Sequence, residues 1–399
     1  MLEQLASEEV WNRYLEYKLD LAAPLKDEEG LRSFIENREY LPIVNDILDG
    51  KDFPLPSKAV ISKMSTQKKR VIYMYPKKES IVLKLLTYLI LRKYDHLFSP
   101  NLYSFRPGRN AKHAFLRLAH TPGIEELYCY KVDVSNYFNS VNVEDLNRML
   151  IEVIDDERLL GFLLKLLNEP KVLWNGEVTE EEKGIMAGTP QASFYANLCL
   201  KELDRRFYDR GIPYVRYSDD IIVFGRTEDE IRQYSDEIKA FLKVKGLSVN
   251  PSKEDYRKPG EEWTFLGFSY KDKQIDISPV SLHKIKGKMR RKSRALVRWS
   301  KRNDKSGDKA AKAFIKIFNR KLLECVGDNE LSWSYWYFPV INTDKSLREI
   351  DHYAQDCIRY IATGTRKKSR FDFRYEDMKE LGYKSMVHAY HEHTEEEKK

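Results

Sequence analysis

Pro213-Tyr214-Val215-Arg216-Tyr217-Ser218-Asp219-Asp220-Ile221-Ile222-Val223-Phe224 decides the fold. Two short β-prone runs flank Tyr217-Ser218-Asp219-Asp220, so the stretch predicts a strand, a tight turn and a second strand, with the paired acids at the tip. Two adjacent carboxylates in an apolar run are costly unless something cationic compensates them. A metal ion bridging carboxylates and a phosphate would do so. The alternative is an acidic hairpin turn, because Ser-Asp-Asp is also ordinary turn chemistry. The four residues alone leave both open.

The 399 residues are 42% hydrophobic, enough for a substantial core and two or three subdomains. No run approaches the ~20 apolar residues of a membrane span. Met1-Leu2-Glu3-Gln4 is not a basic region followed by an apolar stretch, so a cytoplasmic protein with no membrane partner is expected. Cys129, Cys199, Cys325 and Cys357 are far apart and form no C-x-x-C pair; they read as buried apolar residues, neither a zinc site nor a disulfide framework. The net charge of +7 is modest, but segment 283–302 holds ten Lys/Arg and no acid.

Residues 1–60 read as an amphipathic helical extension, closed by Pro54 and Pro56. Lys68 to Pro76 alternates like a strand, and Ile81 to Tyr94 reads as an apolar helix. Leu127 to Val134 is β-rich with Asp133 near its end, and Val143 to Leu167 is helical. A helix over Ser193 to Arg210 precedes the hairpin; a helix over Glu228 to Lys245 and a strand over Trp263 to Tyr270 follow it. Basic helices begin near Ser278, and the tail from 386 to 399 is expected to be disordered.

Metal-dependent phosphoryl transfer needs acids converging from different strands, because Mg²⁺ takes oxygen ligands and two ions about 3.5–4 Å apart bridge attacking and leaving oxygens. Asp133 at a strand end and Asp219-Asp220 at a hairpin tip form such a set. Taken alone, Asp133 reads equally as a cap or a strand-end turn.

An ordered series of motifs resembles the reverse transcriptase family. Lys68-Lys69-Arg70 with Val71 to Pro76 is similar to its fingers segment. Tyr103-Ser104-Phe105-Arg106-Pro107-Gly108-Arg109-Asn110 resembles the signature of bacterial enzymes of the group II intron lineage, and Asp133-Val134-Ser135-Asn136-Tyr137-Phe138 the first palm motif. Gly188 to Ser193 with Ala196-Asn197-Leu198, then Tyr217 to Asp220, Leu247 to Lys253, and Phe265-Leu266-Gly267-Phe268 continue the series in family order from about 65 to 270. The resemblance implies an α+β right-hand polymerase fold: fingers over 61–125, palm over 126–275 and helical thumb over 276–385.

The resemblance also implies roles. Asp133, Asp219 and Asp220, with Val134, would hold two Mg²⁺ ions, Mn²⁺ being the alternative, with Asp220 in the weaker contact. Lys253 would protonate the leaving pyrophosphate; its alternative is a surface lysine. Lys69 and Arg70 would neutralise the triphosphate, the amides of Val134, Ser135, Asn136 and Tyr137 would bind it, and Gln191 would position the nucleotide. Phe138 would exclude a 2′-hydroxyl. Arg106 and Arg109 would contact template phosphates or brace the fingers, the alternative being intramolecular salt bridges, and Leu266 and Gly267 would lie in the primer-grip hairpin. Arg290, Arg291, Lys292 and Arg294, with Arg366 to Arg370, would grip a duplex through its phosphates. Implied partners are an RNA template, dNTPs and a DNA product, with self-association left open.

Ser218 stands where alanine is commoner, and Pro190-Gln191-Ala192-Ser193 where mobile-intron enzymes carry P-Q-G-G. His388, His391 and His393 come without cysteines and read as solvated surface, not a zinc-binding endonuclease. The layout is similar to bacterial defence-associated enzymes that work with a noncoding RNA. Alternatives are a retron-like or other mobile-element enzyme, protein-primed or untemplated DNA synthesis, and a nucleic-acid-binding scaffold with a vestigial site.

Overall fold

The computed structural model describes residues 1–21, 27–62, 69–181, 184–324 and 332–396. Lys68, the Lys69 side chain, Cys325 and residues 397–399, all of which carried expectations, lie outside the described residues. The described residues form two compact units that divide between Glu261 and Glu262.

The first unit opens with α1 (Glu8–Leu19), α2 (Glu28–Glu36) and α3 (Tyr40–Leu48), the helical extension that the apolar spacing predicts. Their apolar faces meet around Trp11, which stacks on Tyr40 at 4.8 Å and meets Phe34 edge-on at 5.6 Å. The buried indole N–H donates to the Leu5 carbonyl at 2.8 Å, so its burial leaves no polar group unmatched. Then β1 (Ser57–Ser62) and β2 (Lys69–Met74) pair antiparallel. Pro76 precedes α4 (Lys77–Lys93), and the Asn110 side chain caps α5 (Ala111–Ala119) by accepting the His113 N–H at 3.0 Å.

The chain continues through β3 (Tyr128–Asp133), α6 (Tyr137–Ser140), α7 (Val143–Val153) and α8 (Glu157–Asn168). Next come β4 (Lys171–Trp174), β5 (Glu177–Glu180), α9 (Ala192–Cys199) and α10 (Lys201–Asp209). The acidic hairpin is β6 (Tyr214–Tyr217) and β7 (Asp220–Gly225), followed by α11 (Glu228–Val244) and β8 (Asp255–Arg257). One four-stranded sheet has the order β2-β1-β4-β5; the other, β6-β7-β3-β8, is antiparallel throughout. Ile221 to Phe224 are all buried, and α11 packs on β7 and β3. Neither face of β7 meets solvent, which is why its apolar run is continuous instead of alternating.

The second unit begins with a three-stranded sheet, β9 (Trp263–Phe265), β10 (Phe268–Lys271) and β11 (Gln274–Ile277), with β10 central. The run over Trp263 to Tyr270, a strand by composition and a hairpin by resemblance, is a hairpin, because Leu266 and Gly267 both adopt positive φ, 50° and 96°, and reverse the chain. These strands fall within the second unit, where Asn342 accepts the Ile275 N–H at 2.8 Å and donates to the Lys273 carbonyl at 2.8 Å.

Helices follow: α12 (Pro279–Arg302), α13 (Gly307–Leu322), α14 (Trp333–Tyr337), α15 (Lys345–Thr363), α16 (Tyr375–Glu380) and α17 (Met386–Glu396). A Cβ on Gly307 would fall 1.8 Å from the Ala362 carbonyl oxygen, so only glycine lets α13 meet α15 this closely. The tail expected to be disordered is helical to Glu396. Met386 and Tyr390 are buried, and the Tyr390 hydroxyl donates to the Ile341 carbonyl at 2.9 Å; this apolar anchoring outweighs the charged composition. His388 and His391 are exposed, whereas His393 is half-buried beside Phe338. No helix among the described residues is long and apolar enough to cross a membrane.

Candidate active site

Sheet register brings the acids together. Asp133 ends β3 directly opposite Asp220, which begins β7, while Asp219 lies in the two-residue turn between Tyr217 and Asp220. The Val134 N–H donates to the Asp219 carbonyl at 2.9 Å, fixing the turn against the end of β3. On the other side of β3, the Asn250 N–H donates to the Asp133 carbonyl at 2.8 Å and the Ser135 N–H to the Ser248 carbonyl at 2.8 Å. This carries the turn at Pro251 to Lys253 alongside, and the Lys253 ammonium reaches Asp133 Oδ1 at 2.5 Å.

Like charges opposite one another in a sheet repel, and burial adds to the cost. Burial and then its neighbours Asp219 and Asp133 push the Asp220 carboxyl up to about 6. Asp219 is raised by burial and then by Asp133. Lys253 acts against both shifts.

The hairpin carrying these acids rests on a polar network that the sequence analysis missed. Arg216, in β6, and Asp204, in α10, are completely buried and pair at 2.6 Å. Asp204 Oδ1 also accepts from Arg216 Nε at 2.8 Å and from the Tyr214 hydroxyl at 2.9 Å. The remaining guanidinium contacts reach backbone: Nη1 donates to the Ser218 carbonyl at 3.2 Å and Nη2 to the Asn197 carbonyl at 3.1 Å. Ser218 has φ of 59°, a costly conformation for a residue with a Cβ, so the turn is held from inside by Arg216 and from the strand side by Val134. Burial opposes the charge on Arg216, yet Asp204 outweighs it and the guanidinium is raised above its ordinary range. A guanidinium inside an apolar run was the signal available in the sequence, since such a group demands a buried partner.

Other expected residues fall unevenly. The amides of Val134 and Ser135 are taken by backbone carbonyls and are not available to a triphosphate. Asn136, with φ of 45°, and Tyr137 and Phe138 turn into α6, where the Tyr137 hydroxyl donates to the Ala196 carbonyl at 2.5 Å. Phe138 is half-buried, and its carbonyl accepts the Ile185 N–H at 2.7 Å. Gln191 is buried, and its Oε1 has no hydrogen-bond partner among the described residues. Gly188 has φ of 104°, and a Cβ there would lie 2.9 Å from the Tyr73 carbonyl oxygen, so the stretch before α9 lies directly against β2. Arg70 is exposed on that strand.

Arg106 leaves the set of nucleic-acid contacts. It is buried, and all five guanidinium N–H groups are used: both Asp95 carboxylate oxygens at 2.7 and 2.9 Å, and the carbonyls of Asp95, Ser99 and Leu102. Arg109 donates to the Pro100 carbonyl and stands over the Tyr103 ring at 5.2 Å. In the second unit, Leu266 and Gly267 form the β9–β10 turn, and Arg290, Arg291, Lys292 and Arg294 are exposed on α12.

Residues 61–270 match the family model described as reverse transcriptase (RNA-dependent DNA polymerase). The chain is also similar to a solved structure of apo telomerase from Candida tropicalis truncated from its C-terminal domain. That match has 12% identity and a TM-score of 0.46, and it covers 56% of this chain and 55% of that one. The mixed α/β architecture with its antiparallel sheet is a right-hand polymerase fold, as the sequence led us to expect.

Arg216→Met leaves Asp204 buried without its cation and is expected to cost about 3–5 kcal/mol in urea unfolding. Adding Asp204→Leu should recover much of that loss, and a double variant no more stable than the single one would contradict the pairing. Asp220 holds its proton more tightly when folded, at about 6, than its ordinary value of 3.8. Its contribution to stability is therefore fully present below about pH 4 and lost as pH rises through about 6. Asp220→Asn should stabilise the chain at about pH 8 by on the order of 2 kcal/mol. The advantage should vanish below about pH 4; stability curves that run parallel across this range would exclude the repulsion.

Proposed function

Because the chain belongs to the reverse transcriptase family, RNA-directed DNA polymerases and so nucleotidyltransferases, we propose that it copies RNA into DNA at Asp133, Asp219 and Asp220. The observation that carries this reading is the register pairing of Asp133 with Asp220, which sets like charges opposite one another at the end of two strands. That arrangement is unfavourable for a scaffold and useful to an enzyme that neutralises it with cations.

The donor set is suited to Mg²⁺ in kind, because all its side-chain donors are carboxylate oxygens, hard ligands whose affinity for protons Asp219 and Asp220 already show to be raised. Among the described residues no three or more His, Cys, Asp or Glu side chains form a ready metal cage. Mg²⁺ needs none, since it usually binds through one or two carboxylates together with substrate phosphates. Asp133, Asp219 and Asp220, with Val134, would hold the ions, which when bound polarise the phosphoryl oxygens and neutralise charge on the leaving group. Lys253 supports Asp133 as a cation in contact with Oδ1, and in this reading it donates a proton to the leaving pyrophosphate.

The amides from Asn136 to Phe138 take the triphosphate role that Val134 and Ser135 cannot share. Gln191, with its unmatched buried Oε1, orients the nucleotide, and Phe138 excludes a 2′-hydroxyl. Arg70 meets the phosphates from β2. The exposed Arg291, Lys292 and Arg294 of α12 hold the template and product strands by their phosphates. We place the enzyme in the cytoplasm, in keeping with the free thiols of Cys129, Cys199 and Cys357. Its template in this reading is a noncoding RNA used in anti-phage defence, which rests on the likeness in layout to bacterial defence-associated enzymes.

Purified protein given primed RNA, dNTPs and Mg²⁺ should make cDNA, and Asp219→Ala with Asp220→Ala should reduce synthesis to background. Undiminished synthesis by that double variant would sink the assignment. Phe138→Ala should raise ribonucleotide incorporation by on the order of tenfold. Equal use of rNTPs by both proteins would remove Phe138 from the sugar-selection role.

A further inference from the structure

The second unit contains a cavity of about 290 Å³ between α12, α15 and the segment after α15, with an unbalanced charge. Arg290, Arg366 and Arg370 line it, and Asp356 is the sole carboxylate among the lining residues. That carboxylate is shared, lying 3.7 Å from Arg370 and 4.0 Å from Arg359. Among the described residues no carboxylate lies within ion-pairing distance of Arg290 or Arg366, nor of Arg294, one turn beyond Arg290 on the same face of α12. Three guanidiniums converging on one hollow repel unless an anion joins them, and their planar forks match phosphate oxygens.

Two tyrosines form the rest of the wall that matters. Tyr353 and Tyr360 line the cavity, with Arg366 stacked over the Tyr360 ring at 4.6 Å and Lys286 over the Tyr353 ring at 5.7 Å. Burial and then Cys357 raise Tyr353 above its ordinary range, and the nearby Arg290, Arg366 and Arg294 pull against that shift. The segment carrying Arg366 is itself fixed, because Arg370 Nη1 donates to the Arg366 carbonyl at 2.8 Å. A hollow of this volume lies at the small end of ligand sites and is far below what a duplex requires. Arginines beside aromatic rings are the combination that binds a phosphate together with a base.

We propose that this cavity is a nucleotide-phosphate site, separate in residues from the palm acids, which binds one phosphate through Arg290, Arg366 and Arg370 with the attached base against the tyrosines. Two sources carry that chemistry: a free nucleoside triphosphate and the 5′-phosphorylated end of an RNA. The proposal does not depend on the polymerase reading.

The test uses the full chain carrying Asp219→Ala and Asp220→Ala, in EDTA, so that the palm is silent. Calorimetric titration is made with ATP, and with one short single-stranded RNA bearing either a 5′-phosphate or a 5′-hydroxyl. Saturable ATP binding that weakens at least about fivefold on adding Arg290→Ala and Arg366→Ala supports the site with a free nucleotide as occupant. A preference for the 5′-phosphorylated RNA that disappears in the same variant supports it with an RNA end as occupant. Equal losses for both RNAs without ATP binding would mean a general backbone grip and overturn the discrete site, as would losses below about fivefold for all three probes. Both arginines are exposed, so the variant should keep its melting temperature. Arg290→Lys with Arg366→Lys retains charge but not the forks, and supplies the same comparison should the alanine pair unfold.

Discussion

The buried pair of Arg216 and Asp204 is the interaction on which the candidate site depends. A guanidinium and a carboxylate without solvent are costly to bury, and their mutual attraction only offsets that cost when geometry and hydrogen bonding are complete. Here they are. Arg216 satisfies Asp204, the Asn197 carbonyl and the Ser218 carbonyl, while Asp204 also receives the Tyr214 hydroxyl. Because one of those contacts is the turn itself, the interior of the unit determines where Asp219 and Asp220 point. Asn197 extends the same network, through reciprocal bonds with Ser104, to the segment before α5.

The acids at the surface end of this support are arranged against stability. Asp133 and Asp220 oppose one another in register, and Asp220 is raised to about 6. A sheet that needed only to fold would place an opposite charge or an apolar residue there. Functional sites commonly hold such local conflicts, and the surrounding structure over-determines them. The contrast between a fully compensated interior pair and an incompletely compensated trio at the strand ends is what separates support from chemistry here.

Much of the fold was legible because its strongest elements have strong periods. The N-terminal helices, α4, α11 and the acidic hairpin follow directly from apolar spacing, and the ordered motifs located Asp133 with Asp219 and Asp220. What escaped the sequence depended on partners that only the folded chain brings together. Arg106 could as well meet template phosphates as brace the fingers by its sequence, but Asp95, Ser99 and Leu102 consume every donor. The amides of Val134 and Ser135 look available until the turn at Asp219 and the strand at Ser248 are brought beside them. The tail from 386 is dominated by charge, and only the burial of Met386 and Tyr390 reveals why it stays helical. At Leu266-Gly267 the apolar run alone reads as strand, and it is the resemblance to a primer-grip hairpin that marks the reversal the positive φ values bear out.

The contact between Lys253 and Asp133 joins residues 120 apart in sequence. Non-local pairings of this kind must bear the cost of loop closure before any contact rewards it, so they are slow steps in folding. A chain emerging from the ribosome can complete the aromatic cluster around Trp11 early, from contiguous helices. It cannot align β7 and the Lys253 turn against β3 until most of the first unit has been made. The cluster of Asp133, Asp219, Asp220 and Lys253 is thus among the last features of that unit to exist, and a truncated or stalled product would carry the early helices without it.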